Sequence, residues 1–286
     1  MKVKKFNLMN IIGSMKYRIQ EDEVPALGAQ LTYYLILSFF PFLIFLLTLL
    51  SHTAISTADV MGNLSDVLPD ESFSLISDTI EEILKNGSTS LLSFSIIGTL
   101  WTASNGVAAL IRGLNKAYDQ EENRPFLLLR GFAILITIAL VIGIILAFTL
   151  LVFGQVIGNY IFSFFGLTEY FKMIWSAVRF IFPIIMLIVV FTLFYKYAPN
   201  KKRLKFKEVF PGAIFTTSAW IAISLAFSFY VNNFGNYTKT YGSLGGIIIL
   251  LIWLYISSII ILIGGELNAT LAFDRISIAK QIKDKK

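Results

Sequence analysis

The chain of 286 residues has no cysteine and one histidine, His52. Without cysteine there is no disulfide and no thiolate metal site, and the redox character of the compartment leaves no mark. A single isolated histidine cannot build a histidine metal site or complete a Ser/His/Asp set, and no G-x-S-x-G elbow is present. No GxxxxGK[ST] phosphate loop occurs, so the chain carries no ATPase of its own. Charge is scarce as well: Asp, Glu, Lys and Arg make up 15% of residues, against about 25% in soluble domains. No catalytic residue, metal or cofactor is therefore expected.

What is abundant is apolar length. Hydrophobic residues are 56% of the chain, and several runs reach the ~18 residues that a membrane crossing needs. The runs are continuous rather than alternating, which excludes the pattern of a transmembrane β-barrel. The expected fold is an all-α polytopic membrane protein, a single integral domain over residues 1–286. Its spans are placed at about 27–50, 91–114, 131–156, 174–195, 209–231 and 244–264, with a tail at 269–286.

Between the first two spans, Asp59, Asp66, Asp70, Glu71, Asp78, Glu81 and Glu82 face one lysine, Lys85. Apolar spacing on either side of Pro69 predicts two short amphipathic helices, an acidic cap outside the cytoplasm. Residues 1–26 hold Lys2, Lys4, Lys5, Lys16 and Arg18 around apolar residues at helical spacing. They are expected to form a short interfacial helix and not a cleavable signal.

Positive charge sets the topology. Twenty of the 24 Lys and Arg fall in the N-terminal segment, the 112–130 region, the 196–207 loop and the tail. The other four are Lys85, Lys172, Arg179 and Lys239. Cytoplasmic loops carry the excess of Lys and Arg, so six spans with both termini cytoplasmic are expected in a bacterial plasma membrane. The net charge of +6 is then loop charge, and nucleic acid is not an expected partner.

Polar residues inside apolar helices are candidates for function, because they are costly in lipid. Gln30, Tyr34, Ser38 and Pro41 lie near one face of the first span. Trp101, Asn105, Ala108, Arg112 and Asn115 share a stripe of the second, expected to face inward. Glu266 and Asn268 end the sixth. With both termini inside, Gln30, Tyr34, Arg112, Asn115, Glu266 and Asn268 are expected to cluster at the cytoplasmic leaflet as a polar cluster or gate, with Arg112 paired to Glu266. Ser38, Pro41, Trp101, Asn105, Arg179, Tyr241, Gly242 and Gly245 are candidates for cavity lining or packing. Arg179 is read either as an interfacial anchor or as an anion-binding group.

In order along the chain, several of these pieces form a pattern. Ala29-Gln30-Leu31-Thr32-Tyr33-Tyr34 comes with Ser38 and Pro41, then Trp101 to Asn115 with Tyr118, Arg124-Pro125 and Pro211-Gly212. Tyr241-Gly242-Ser243-Leu244-Gly245-Gly246, Trp253 and Gly264-Gly265-Glu266-Leu267-Asn268 complete it. In these pieces the chain resembles the BrkB/YihY family of bacterial inner-membrane proteins over nearly its whole length. The resemblance implies a six-span plasma-membrane protein. Members of that family are linked to virulence and serum resistance, and a relative to lipid export across the inner membrane. Some carry a ribonuclease label, which the absences above do not support.

Two functions are expected to compete. One is a transporter or flippase-like protein for a lipid-like or anionic solute, passive or ion-coupled. The other is a non-transporting scaffold or assembly factor for the cell envelope. Membrane lipids, such a solute and a further copy of the chain in a homo-oligomer are the expected partners.

Overall fold

A computed structural model describes residues 8–51, 88–143, 168–201, 204–234 and 244–283. Among the described residues the regular secondary structure is helical. The helices are α1 (Leu8–Glu21), α2 (Val24–Ser51), α3 (Thr89–Ala117), α4 (Phe126–Gly143 as described), α5 (Thr168–Tyr197), α6 (Phe206–Phe234) and α7 (Gly245–Lys283). The acidic cap, Tyr241 and Gly242 lie outside the described residues.

Local chemistry places the helix ends. α1 stops where Glu23 enters the left-handed region at φ 52° and its N–H bonds Gln20 O at 3.1 Å. Pro25 then sits in the first turn of α2, where its missing N–H has no helical partner to lose. α3 begins with Ser88 Oγ accepting from Leu91 N at 3.2 Å, an N-cap. It ends in a Schellman closure: Asp119 takes φ 51°, its N–H bonds Lys116 O at 3.0 Å, and Gln120 N bonds Asn115 O at 2.9 Å. At the start of α6, Glu208 reaches back to the N–H of Lys205 at 2.8 Å, half of a capping box.

Among the described residues, five helices are long and apolar enough to cross a membrane: Val24–Phe45, Thr89–Ala117, Phe126–Gly143, Phe206–Val231 and Gly245–Phe273. The run expected at 174–195 falls in α5, a helix of 30 residues whose described apolar part is Ile181–Tyr197. Phe94, Ile97, Leu127, Leu225 and Phe229 are all exposed, an outward surface that suits lipid and not water. The boundaries run longer than expected at most ends. The largest difference is at the C-terminus, where the tail continues α7 as helix to Lys283.

The chain divides into two compact units. The first comprises residues 1–24, 111–221 and 260–286, and the second residues 25–110 and 222–259. The second unit is held by small residues that let helices approach. A Cβ on Gly28 would meet Ile259 Cγ1 at 2.9 Å, and one on Gly106 would meet Leu31 and Tyr34 at 3.5 Å. Thr32 donates to Gly28 O at 2.8 Å and lies 3.4 Å from Ser258 Oγ, while Trp253 Nε1 donates to Ser224 Oγ at 3.2 Å. Pro41 packs by Gly98, and the buried Ser38 returns its hydroxyl to Leu35 O at 2.9 Å.

Two expected faces are corrected. Gln30 is exposed and Tyr34 half-buried, so the buried face of α2 runs through Gly28, Leu31, Thr32 and Ser38 instead. On α3, Trp101 and Arg112 are exposed. The buried stripe runs through Ser104, Ala108, Ile111 and Asn115 to Tyr118 just beyond the helix. Its steps are the same four and three, but the helix is turned so that aliphatic Ile111 takes the inward place expected for Arg112.

Candidate functional site

The first unit is organised around Gly264-Gly265-Glu266-Leu267-Asn268 on α7. The glycines are needed for contact. A Cβ on Gly212 of α6 would overlap Gly264 O and Asn268, and one on Gly265 would overlap Leu114 of α3. A Cβ on Gly264 would overlap Thr216 Oγ1 and lie 2.6 Å from Tyr195 OH. Bare backbone therefore packs on backbone, which brings the polar side chains of α7 to neighbouring helices.

Asn268 is buried and serves the backbone on both sides of Pro211, where the proline interrupts the helical ladder. Gly212 N donates to its Oδ1 at 2.7 Å, and its Nδ2 donates to Val209 O at 2.9 Å. Tyr195 OH donates to Ile261 O at 2.6 Å and lies 2.7 Å from Thr216 Oγ1.

Two residues before Asn268 lies the charged centre. Glu266 is 2% exposed, and its partner is Arg18 of α1, whose Nε donates to Oε2 at 3.2 Å. Arg112 does not take that place, which corrects the expected pair. The Arg18 guanidinium also donates to Ala117 O, at the C-terminal end of α3 where helix carbonyls favour a cation. Asp22 and Asp119 stand 3.9 and 3.7 Å from it, and the Phe273 ring centre 4.8 Å. Arg18 thus joins α1, α3 and α7 through one side chain that is 17% exposed. Burial pushes the Asp22 carboxyl above its ordinary range, against the pull of its neighbours Glu266 and Arg18. Lys116 and Glu23 add an outer pair at 3.3 Å.

A second network ties the loop after α3 to the end of α5. Asn115 Nδ2 donates to Glu122 Oε2 at 2.8 Å, and Asn200 N donates to Asn115 Oδ1 at 2.6 Å. Arg124 Nε donates to Glu122 Oε1 at 2.7 Å, and its Nη2 donates to Ala198 O at 2.9 Å. The hydrogen bond from Arg124 holds the Glu122 carboxyl below the usual range. Lys201 sits over the rings of Tyr118 and Phe273, at 4.8 and 4.7 Å. Burial pulls its ammonium below the ordinary lysine value.

Beside Arg18 opens a groove of about 430 Å³, lined by Gly13, Ser14, Tyr17, Arg18, Thr270 and Phe273. Thr270 is 2% exposed and its hydroxyl has no hydrogen-bond partner.

Of the six residues expected to cluster, the structure brings Asn115, Glu266 and Asn268 into the buried interior of the first unit. Arg112 belongs to that unit but is exposed, and Gln30 and Tyr34 belong to the second. Trp101, Asn105, Ser38, Pro41 and the buried Gly245 also lie in the second unit. Arg179 falls within α5, and its side chain lies outside the described residues. Sequence reasoning missed Arg18, Asp22, Glu122, Tyr195 and Thr216. The available signal was Arg18 and Asp22 at helical spacing of four, just before an apolar run. Among the described residues, no group of three or more His, Cys, Asp or Glu could hold a metal ion.

Relatives match this chain along most of its length. A Bacillus subtilis (strain 168) protein named ribonuclease-like protein YfkH is 46% identical over 256 residues, spanning 90% of this chain and 92% of its own. A UPF0761 membrane protein of Alteromonas mediterranea is 26% identical over 267 residues, 92% of this chain and 88% of its own. Another from Haemophilus influenzae (strain 86-028NP) is 26% identical over 261 residues, 89% of this chain and 92% of its own. No solved structure matches. The family profile described as Virulence factor BrkB matches residues 15–285, a stretch that takes in Arg18 as well as Glu266: the chain belongs to the BrkB family of membrane proteins.

Proposed function

We propose that the protein is a transporter or flippase-like protein of the bacterial cytoplasmic membrane for a lipid-like or anionic solute. In this reading it has six spans with both termini inside, and α1 lies along the cytoplasmic surface. The observation that carries the proposal is the Glu266 centre. A carboxylate on an apolar spanning helix is shut from water and held by an arginine from outside that helix. Ionisable groups within spans mark solute or proton pathways by default. A buried ion pair adds little stability over an apolar pair of the same size, so it makes a poor reason to keep charge there. Arg18 also sits at the end of α1, a separate short helix, so it can withdraw without unwinding a span. We read the Arg18–Glu266 pair as a clasp whose opening admits solute, driven by a gradient because the chain has no nucleotide motif.

The alternative reading is a non-transporting scaffold for the cell envelope. It draws support from the glycine contacts and the Asn115–Glu122–Arg124 network, which make a dense static core. Reconstitution separates the two. Proteoliposomes should move a labelled anionic lipid or solute faster than empty liposomes, and Arg18→Lys or Glu266→Gln should change that rate. Rates equal to empty liposomes, together with stable stoichiometric partners in pull-downs from membranes, would establish the scaffold. The ribonuclease-like name belongs to the Bacillus subtilis relative, and we do not extend it to this chain.

A further inference from the structure

We propose that the groove between α1 and α7 is a binding site for a phosphate group, borne by the head of an anionic membrane lipid or free in solution. This goes beyond the transport reading, since it holds whether the phosphate is cargo or a resident lipid.

The lining carries the argument. It contains one cation, Arg18, two hydroxyl side chains, Ser14 and Thr270, two aromatic rings, Tyr17 and Phe273, and Gly13. No carboxylate lines it; Asp22, Asp119 and Glu266 meet Arg18 without lining the groove. A guanidinium fork with hydroxyl donors is the chemistry that binds phosphate oxygens. Thr270 supplies an independent sign of a ligand. Its hydroxyl is buried without a partner, which costs free energy unless something accepts or donates there. The Tyr17 hydroxyl is engaged by Glu21, so the residue offers its ring. The two rings suit the glycerol and upper acyl carbons of a lipid. Met9, Ile12 and Lys16 are exposed on the same side of α1 as Gly13 and Tyr17, an interfacial mixture of apolar and basic groups.

Gly13 provides a clean test. Nothing lies within 4 Å of a Cβ built there, so a larger side chain fills the groove without disturbing the fold. Gly13→Leu blocks the site, and Thr270→Val removes its free hydroxyl at constant shape. The purified full-length protein in nonionic detergent is melted against inorganic phosphate, short-chain phosphatidylglycerol and dioctanoylglycerol, which has acyl chains but no phosphate. Phosphatidylglycerol should raise the melting temperature saturably. In Gly13→Leu and Thr270→Val the unliganded melting temperature should hold or rise, and the apparent affinity should weaken roughly tenfold or more. A rise with both phosphate and phosphatidylglycerol assigns the site to phosphate itself; a rise with the lipid alone assigns it to the headgroup. No rise with either probe, an equal rise with dioctanoylglycerol, or unchanged affinity in Gly13→Leu would overturn the proposal.

Discussion

Arg18→Ala tests the charged centre most directly. The substitution removes the bond to Glu266, the bond to Ala117 O and the cation that faces Asp22 and Asp119. It leaves Glu266 and Asp22, 2% and 6% exposed, without a guanidinium between helices. Removing one partner of a buried ion pair costs about 3–5 kcal/mol. Arg18 keeps 17% of its side chain exposed, so the lower end, about 3 kcal/mol, is the better figure. At about 2–4 °C per kcal/mol for chains of comparable size, the melting temperature should fall by about 6–12 °C. Glu266→Gln should cost about 1 kcal/mol, because an amide oxygen still accepts from Nε and Arg18 keeps its other contacts. In the Glu266→Gln background Arg18→Ala should then cost less by about 2 kcal/mol, a coupling that contact pairs show and distant ones do not. The assay is thermal unfolding of the four detergent-solubilised proteins, followed by the fluorescence of the four tryptophans. Strict additivity, or a fall of less than about 2 °C for Arg18→Ala, would refute the account of Glu266 as a group held by that arginine.

Other outcomes follow from the packing. Gly264→Ala should destabilise by about 3 kcal/mol through overlap with Thr216 and Tyr195, whereas Gly246→Ala on the same helix, with nothing within 4 Å, should be neutral or gain up to about 1 kcal/mol; equal melting temperatures would contradict the contact. Asn268→Ala should cost about 2–4 kcal/mol because Gly212 N and Val209 O are both left buried and unpaired, read by the same melts. Glu122→Gln should cost about 1–2 kcal/mol at neutral pH. The folded carboxyl has a depressed pKa, so its contribution is present above the unfolded value and lost as pH falls through the folded one. Wild type and variant should converge in acid, and a constant gap across a pH series would show the stabilisation is not ionic. Asp22 works in the opposite sense: its raised pKa costs stability once ionised, so Asp22→Asn should gain on the wild type as pH rises.

The helices were readable because apolar length is a local property, and so were Glu266 and Asn268, since an acid and an amide in such a run are locally anomalous. Their partners were not readable. Arg18 is separated from Glu266 by 248 positions, and helix spacing alone cannot tell it from Arg112. The α3 stripe shows the same limit. Asn115 lies on both the expected face and the observed one, so the four-and-three spacing fits either, and polar groups on two sides of the helix do not say which turns inward. That the tail continues as helix was not readable from the end of the apolar run, because a change from apolar to charged residues does not end a helix; Lys, Gln, Ala and Ile all sustain it. The Gly212 and Gly264 contacts were not readable either, since a glycine that admits a neighbour reads like any other.

The length of α7 has a further consequence. Glu266 lies 21 residues beyond Gly245, about 32 Å along the axis at ~1.5 Å per residue. A bilayer's hydrocarbon is about 30 Å thick, so in the proposed six-span reading, with the span entered at Gly245, the carboxylate would stand at its edge, where a few ångströms of thickness would decide whether lipid tails or headgroups surround the cluster. Hydrophobic mismatch costs fractions of a kcal/mol per ångström, and here it would act on a charge. The protein should therefore be more stable in short-chain than in long-chain phospholipid bilayers, and Arg18→Ala should steepen that dependence. Unfolding measured across a series of acyl-chain lengths reads both slopes, and identical slopes would place the carboxylate away from the boundary.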